Sequence, residues 1–454
     1  MSTTIPFSMI EEAVYHIEQK HTSWNIQAEV ETTATIDIEQ LHEAARTACK
    51  HHPIVGARMH KASIADSQYV WELPDDDEID DIEFNIEVVE ADEMSVEEAQ
   101  NRAYFTKFDL TEEHPMRAIV MRGAGLDGGD RLMVSLHHSA VDGVGTLQFT
   151  QAVCQAYRGE QVWADSVTFE ESREWLDDLE PASILDTFNF LDDGIDVIDK
   201  VARQLQNTVD EPARIAEDRE PDDPDWGWRF TRRVLDEDVT EKVVNNRPEG
   251  ISVNDMFLTG LHLAIEDWND AHGKRARKIS TMMPINIRPK DHFYSAAGMY
   301  TMFESIHTHT KHRKDPIEAA YEISDQTAKV KERERASAPY KLMRMFPDAI
   351  PLGIKRELPE ILNGPGQRLW DTAMLTNMGK IPMMPSLSGE GGKERPWFTP
   401  PIWDGTPVGI GVATYGDQVT FTMRHQRDVL GQDAAERFSD AFLDGIEAAI
   451  DAAD

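Results

Sequence analysis

Cysteine is nearly absent: Cys49 and Cys154 are the only two among 454 residues. Both sit in apolar patterns of helical spacing, where a small buried thiol is the usual occupant, so no disulfide framework is implied. Long apolar runs are missing as well. None reaches the roughly 18 residues a membrane helix needs, and no membrane span is expected. Basic residues are scarce, with 45 Lys plus Arg against 83 Asp plus Glu and a net charge of −38. That field repels a nucleic-acid backbone or an anionic bilayer, so neither is an expected partner. The acid excess recurs at 74–93, 165–199, 209–225 and 433–454 and is therefore a property of the whole surface. Such a surface is tolerable where counterions screen it over about 3 Å, as at ~1 M salt, which predicts a high-salt organism. The opening MSTTIPFSMIEEA has no basic stretch followed by an apolar run, so no targeting signal is expected and the cytoplasm is the expected location.

Several catalytic signatures are missing too. There is no Walker loop, nucleophile elbow, CxxC pair or HExxH, so ATPase, serine-hydrolase and zinc readings lack their parts. Gly123, Gly125 and Gly128 satisfy GxGxxG after a strand, but the next segment, DRLMVSLHH, is another strand and supplies no helix N-terminus for a pyrophosphate. That stretch reads as a hairpin turn. His307 and His309 share a strand face without a third ligand, and no metal is expected. The basic cluster Lys274, Arg275, Arg277 and Lys278 follows a helix end, where it complements the helix dipole.

What is present supports a large mixed α/β chain. Hydrophobic residues make up 40% of the sequence, and its length exceeds one ordinary domain of roughly 100 to 200 residues. Residues 26–36 alternate as a half-buried strand, after which Asp37 caps a helix. A helix near 95–105, strands at 116–122 and 131–137 and a helix over 184–205 follow. Residues 206–227 have the Pro and acid content of an exposed linker, which divides the chain into 1–205 and 228–454. Beyond it, Ser252 and Asp255 form a capping box that opens a helix. Strands near 277–287, 298–308, 371–377, 408–414 and 418–425, a helix near 315–333 and a last amphipathic helix from Asp433 complete two similar α/β layers.

The informative stretch is Leu132-Met-Val-Ser-Leu-His137-His138-Ser-Ala-Val-Asp142-Gly143-Val-Gly145. Strand parity puts Leu132, Val134, Leu136 and His138 on one face and Met133, Ser135 and His137 on the other. One imidazole can then look into a cavity while its neighbour is held in the protein. Asp142 can fix the turn, and the glycines free the backbone to leave it. Adjacent histidines are often plain strand-end polar groups, yet HHxxxDG should arise by chance in such a chain with a probability of roughly a few in a thousand. Opposed histidines and one turn Asp do not converge on an ion.

His137 to Gly143 resembles the HHxxxDG signature of the CoA-dependent acyltransferase superfamily, which includes chloramphenicol acetyltransferase, condensation domains, wax ester synthases and alcohol acyltransferases. Phe108-Asp109-Leu110 with Pro115 and Arg117, Lys50-His-His-Pro53, Ser252-Val-Asn-Asp255, Pro284-Ile-Asn-Ile-Arg288, Thr376-Asn377-Met-Gly379 and the closing unit from Gly409 are similar to further family landmarks. The DFGWG motif of the plant branch is absent.

The resemblance implies an α+β sandwich of two chloramphenicol acetyltransferase-like subdomains, 1–205 and 228–454, in a V with a tunnel between them. It implies His138 as general base, taking a proton from an acceptor that attacks a thioester carbonyl directly. His137 and Gly143 would support the site, Asp142 would pair with Arg288, and Asn377 and Gly379 would lie beside the tunnel. The expected activity is acyl transfer from acyl-CoA to a hydroxyl, with no permanently bound cofactor. Long helical material at 165–205 is similar to the wax ester and alcohol acyltransferase branches. The alternatives are an amide-forming enzyme fed by an acyl carrier protein in trans, and a non-catalytic relative that binds thioesters or a protein.

Overall fold

The computed structural model describes residues 3–20, 22–163, 168–178, 211–219, 227–288, 297–332, 351–357, 371–389, 391–402 and 405–452. The first half runs β1 (Thr3–Pro6), α1 (Met9–Lys20), β2 (Asn25–Thr32), α2 (Ile38–His51), β3 (Arg58–Met59), β4 (Val70–Leu73), α3 (Asp76–Asp80), β5 (Asn85–Glu90), α4 (Val96–Phe105), β6 (Met116–Arg122), β7 (Arg131–His137), α5 (Gly143–Tyr157) and α6 (Phe169–Asp178). The second runs β8 (Trp228–Val234), α7 (Glu237–Asn245), α8 (Val253–Ala271), β9 (Lys278–Asn286), β10 (Thr301–His309), α9 (Pro316–Glu332), α10 (Leu352–Lys355), β11 (Ala373–Ile381), β12 (Glu394–Thr399), β13 (Val408–Tyr415), β14 (Gln418–Gln426) and α11 (Gln432–Asp451). The helix expected over 184–205 lies outside the described residues.

Local chemistry sets the helix starts. Asp37 accepts the Gln40 N–H at 2.9 Å, and the apolar stripe Leu41, Ala45, Ala48 and Cys49 then buries itself. Ser252 and Asp255 cap each other's backbone at the head of α8. The helix α1 falls outside the expected set. Its Glu11, Glu12, His16 and Glu18 are buried alongside Ile10 and Val14, which blurs the apolar stripe a sequence reading depends on.

Two large sheets carry the halves. One has strand order β12-β2-β7-β6-β5 and the other β10-β9-β11-β13-β14-β8. The first shares a core with α2 and α5 through Ile26, Val30, Val134 and Leu136. The second shares one with α8 and α11 through Ile279, Leu375, Val412 and Phe421. The antiparallel β6–β7 pair is joined by the glycine-rich turn, with Gly123 and Gly128 at φ of 70° and 84°.

Three features depart from the sequence reading. First, β2 is buried on both faces, not one. Its polar face forms a charged seam: Arg131 and Arg232 flank Glu29, the Tyr104 hydroxyl donates to it, and Trp397 Nε1 donates to Glu31 at 3.0 Å. Alternation here separates a hydrophobic core from buried ion pairs, a distinction composition does not carry. Second, residues 211–219 of the expected exposed linker pack against α8. Ala216 is fully buried, its N–H donates to Asn269 Oδ1 at 2.7 Å, and its carbonyl accepts from Trp268 Nε1 at 2.9 Å. Third, β12 comes from the second half of the chain yet pairs with β2, from Glu394 opposite Thr32 to Thr399 opposite Gln27. The first sheet is therefore completed by the second half.

Candidate active site

β7 ends at His137, and the pleat sends the two histidines to opposite sides. The His137 ring is fully buried, with Nε2 against Glu18 Oε2 and Nδ1 accepting the Ser139 N–H at 3.1 Å. An accepting Nδ1 leaves Nε2 to carry a ring proton, facing the Glu18 carboxylate. Glu18 also accepts from Ser23 Oγ at 3.3 Å and from the Trp24 N–H at 3.4 Å. His137 thus ties β7 to the end of α1, and Glu18 ties that end to the segment leading into β2.

His138 is set differently. Its Nδ1 lies 2.8 Å from the Val141 carbonyl, which can only accept, so the proton is on Nδ1 and Nε2 keeps a lone pair. Its N–H donates to the Trp24 carbonyl at 3.1 Å, and the Trp24 ring stands 5.8 Å from the imidazole. Burial lowers the His138 pKa from its ordinary value, outweighing the Val141 hydrogen bond and the nearby Asp142 charge, which act upward. The ring is neutral at pH 7.

Asp142 is fully buried, and among the described residues its carboxylate accepts five hydrogen bonds. Arg288 grips it with Nη1 at 2.6 Å and Nη2 at 2.9 Å, while Gly145 N, Tyr300 N and Thr301 Oγ1 donate at 2.9, 3.1 and 2.9 Å. Burial, the largest effect, raises the carboxyl; the Arg288 charge and hydrogen bonds, together with the Gly145 and Tyr300 N–H groups, outweigh it and hold the pKa below the usual carboxylate range. Asp142 is also the N-cap of α5. It therefore anchors the helix next to the Val141 carbonyl that sets the His138 tautomer.

His138 lines a cavity of about 140 Å³ between the halves. The first half adds Ile26, Gly143 and Val144, and the second half adds Asn286, Thr301, Phe303, Thr376, Asn377 and Phe398, among others. Gly143 is needed for close approach, because a Cβ there would lie 3.0 Å from Phe398 Cζ. Gly379 does not line the cavity. It takes φ of 68° at the irregularity in β11, and its N–H donates to Asn377 Oδ1 at 2.8 Å. A bulge demands that backbone and turns the residue away, so Asn377 is at the cavity wall and Gly379 is not.

The other candidates stand apart. The basic cluster 274–278 lies at the start of β9, the opposite end from Asn286. Among the described residues, no three His, Cys, Asp or Glu side chains are grouped to hold a metal ion. Among the same residues, no helix is long and apolar enough to cross a membrane. Glu18, Thr301 and Phe398 were not legible as site residues. Each reaches the site through chain separations or strand registers that leave no local signal.

Residues 1–346 match the family model described as condensation domain. An uncharacterized protein of Mycobacterium tuberculosis is 26% identical over 426 residues, spanning 92% of this chain and 94% of that protein. Among solved structures, the first condensation domain of the calcium-dependent antibiotic synthetase, in complex with a substrate analogue, has a TM-score of 0.66 at 13% identity, covering 100% of this chain and 98% of that one. Trichothecene 15-O-acetyltransferase from Fusarium sporotrichioides has a TM-score of 0.66 at 11% identity, covering 99% and 96%. The starter condensation domain of rhizomide synthetase, a mutant in complex with C8-CoA, has a TM-score of 0.62 at 12% identity, covering 100% and 95%. With a sequence match over three quarters of its length, the chain belongs to the condensation domain family, and it shares its fold with the condensation domains and the acetyltransferase above.

Proposed function

We propose that the protein transfers an acyl group from acyl-CoA to a hydroxyl acceptor, with His138 as general base. One observation carries this reading: a neutral imidazole, its tautomer locked by Val141, lines a cavity built by both halves. The acceptor O–H gives its proton to Nε2 as oxygen attacks the thioester carbonyl. The tetrahedral adduct then collapses, the C–S bond breaks, and the imidazolium returns the proton to the departing thiolate. No acyl-enzyme is needed, and no cofactor stays bound.

The test is release of free thiol from an acyl-CoA panel that depends on an added alcohol. The same assay carries a pH prediction. His138 acts as the neutral base, and its pKa is lowered from 6.5, so kcat/KM stays level through the ordinary histidine range and falls only at more acidic pH, with an inflection below 6.5. An inflection above that value, or a flat profile, counts against the assignment. A second reading, amide formation from a thioester on a carrier protein in trans, is favoured by the condensation-domain match. Release that requires an amine and a carrier-bound donor would select it.

We also place the protein in the cytoplasm of a high-salt organism, on its charge of −38. Raising KCl from ~0.1 M to ~2 M shortens the Debye length from about 10 Å to below 3 Å, which relieves carboxylate repulsion in the compact state. The thermal midpoint is expected to rise steadily over that range. A midpoint that is constant or falls would remove the habitat reading and leave the chemistry untouched.

A further inference from the structure

The cavity beside His138 has an apolar end. A Cβ on Gly143 would meet Phe398 Cζ at 3.0 Å, Met378 Sδ at 3.1 Å and Met378 Cε at 3.3 Å, so these three residues are in close contact. They arrive from separate places: Gly143 opens α5, Met378 sits at the bulge of β11, and Phe398 rides on β12, the strand that crosses into the first sheet. Pro400 and Pro401 line the same space, and Phe398 is held in the first-half core at 2% exposure. None of these side chains carries a strong hydrogen-bond donor or acceptor.

That chemistry separates the two reactants. An acceptor with further polar groups would have them desolvated against this wall without partners, whereas a saturated chain gives up nothing there. Of the polar lining, Asn286 ends β9 and Thr301 begins β10, while Thr376 and Asn377 precede Met378 on β11. The size is equally selective. At about 140 Å³ the whole cavity, its His138 and polar walls included, is no larger than the apolar cavities of roughly 150 Å³ that take benzene, a six-carbon ring, so its apolar end holds at most about that bulk.

We infer that Gly143, Met378 and Phe398 form a stop that sets the length of the transferred acyl group, admitting straight chains of up to about six carbons. The inference rests on the acyltransferase reading and names its donor class. Phe398 is the fixed part, packed into the core. Met378, with a flexible thioether, is the part that adjusts.

The experiment is calorimetric titration, in molar salt, with S-ethyl, S-butyl, S-hexyl, S-octyl and S-decyl coenzyme A. These thioethers cannot be cleaved by acyl transfer, so binding is read apart from turnover. The wild-type protein is expected to bind S-butyl or S-hexyl best and S-decyl about tenfold more weakly. Met378→Ala and Phe398→Leu should each move the optimum to S-octyl or beyond, and Gly143→Ala should move it towards S-ethyl. Met378→Ala carries the test alone should Phe398→Leu fail to fold. One shared ranking across the variants, a wild-type optimum at S-decyl, or no binding of any thioether overturns the inference. Transfer from hexanoyl-CoA is measured alongside: a shifted ranking without any wild-type transfer would keep the length stop and remove the acyltransferase reading.

Discussion

His138→Ala is expected to lower acyl transfer by about 10²- to 10⁴-fold while leaving the fold intact. The lost ring removes the proton acceptor, and the structural loss is one hydrogen bond to the Val141 carbonyl and the ring contact with Trp24. A neutral hydrogen bond contributes roughly 0.5 to 1.5 kcal/mol, too little to unfold a chain of this size. The neighbouring His137→Ala should behave in the opposite way. It strips the Nε2 partner from a buried Glu18 carboxylate and the acceptor from the Ser139 N–H, so its main effect is on stability. Thiol release and thermal melting in molar salt, measured on both variants, separate the two roles. Thiol release at the wild-type rate from His138→Ala would make the base assignment wrong.

Asp142→Ala is expected to destabilise the protein by about 3 to 5 kcal/mol and to lose activity as a consequence. The Arg288 guanidinium, 2% exposed, would be left without its bidentate partner, and the donors Gly145 N, Tyr300 N and Thr301 Oγ1 would lose their common acceptor. The helix α5 would also lose its cap. Denaturant midpoints for Asp142→Ala, Arg288→Met and the double variant form a cycle. The double variant should lose less than the sum of the singles, since neither charge is then stranded. A stable Asp142→Ala protein without activity would instead give Asp142 a direct part in the chemistry.

Much of the fold was readable along the chain. Pleat parity separates His137 from His138 with no outside information, and the Ser252–Asp255 capping box marks the head of α8. The meeting of Asp142 with Arg288 was suggested by family resemblance; no spacing rule would pair residues 146 positions apart. Other parts were closed to sequence reasoning. The alternation of β2 signals two unlike faces, but exposure and burial in ion pairs look the same in one dimension. Nothing local tells that β12 leaves its own half, because strand pairing is a choice among distant edges.

Consecutive residues therefore settle whatever depends on chain geometry over a few ångströms: which face each histidine takes, where helices begin, and that the turn after β7 is held by an aspartate. The charge total is settled the same way, since it is a sum over residues and needs no coordinates. The cavity, its volume and its apolar end arise only when α5, β11 and β12 pack together, for a void is defined by atoms that share no local segment. The lowered basicity of His138 belongs with it, because desolvation comes from the surrounding halves and not from the motif that carries the ring.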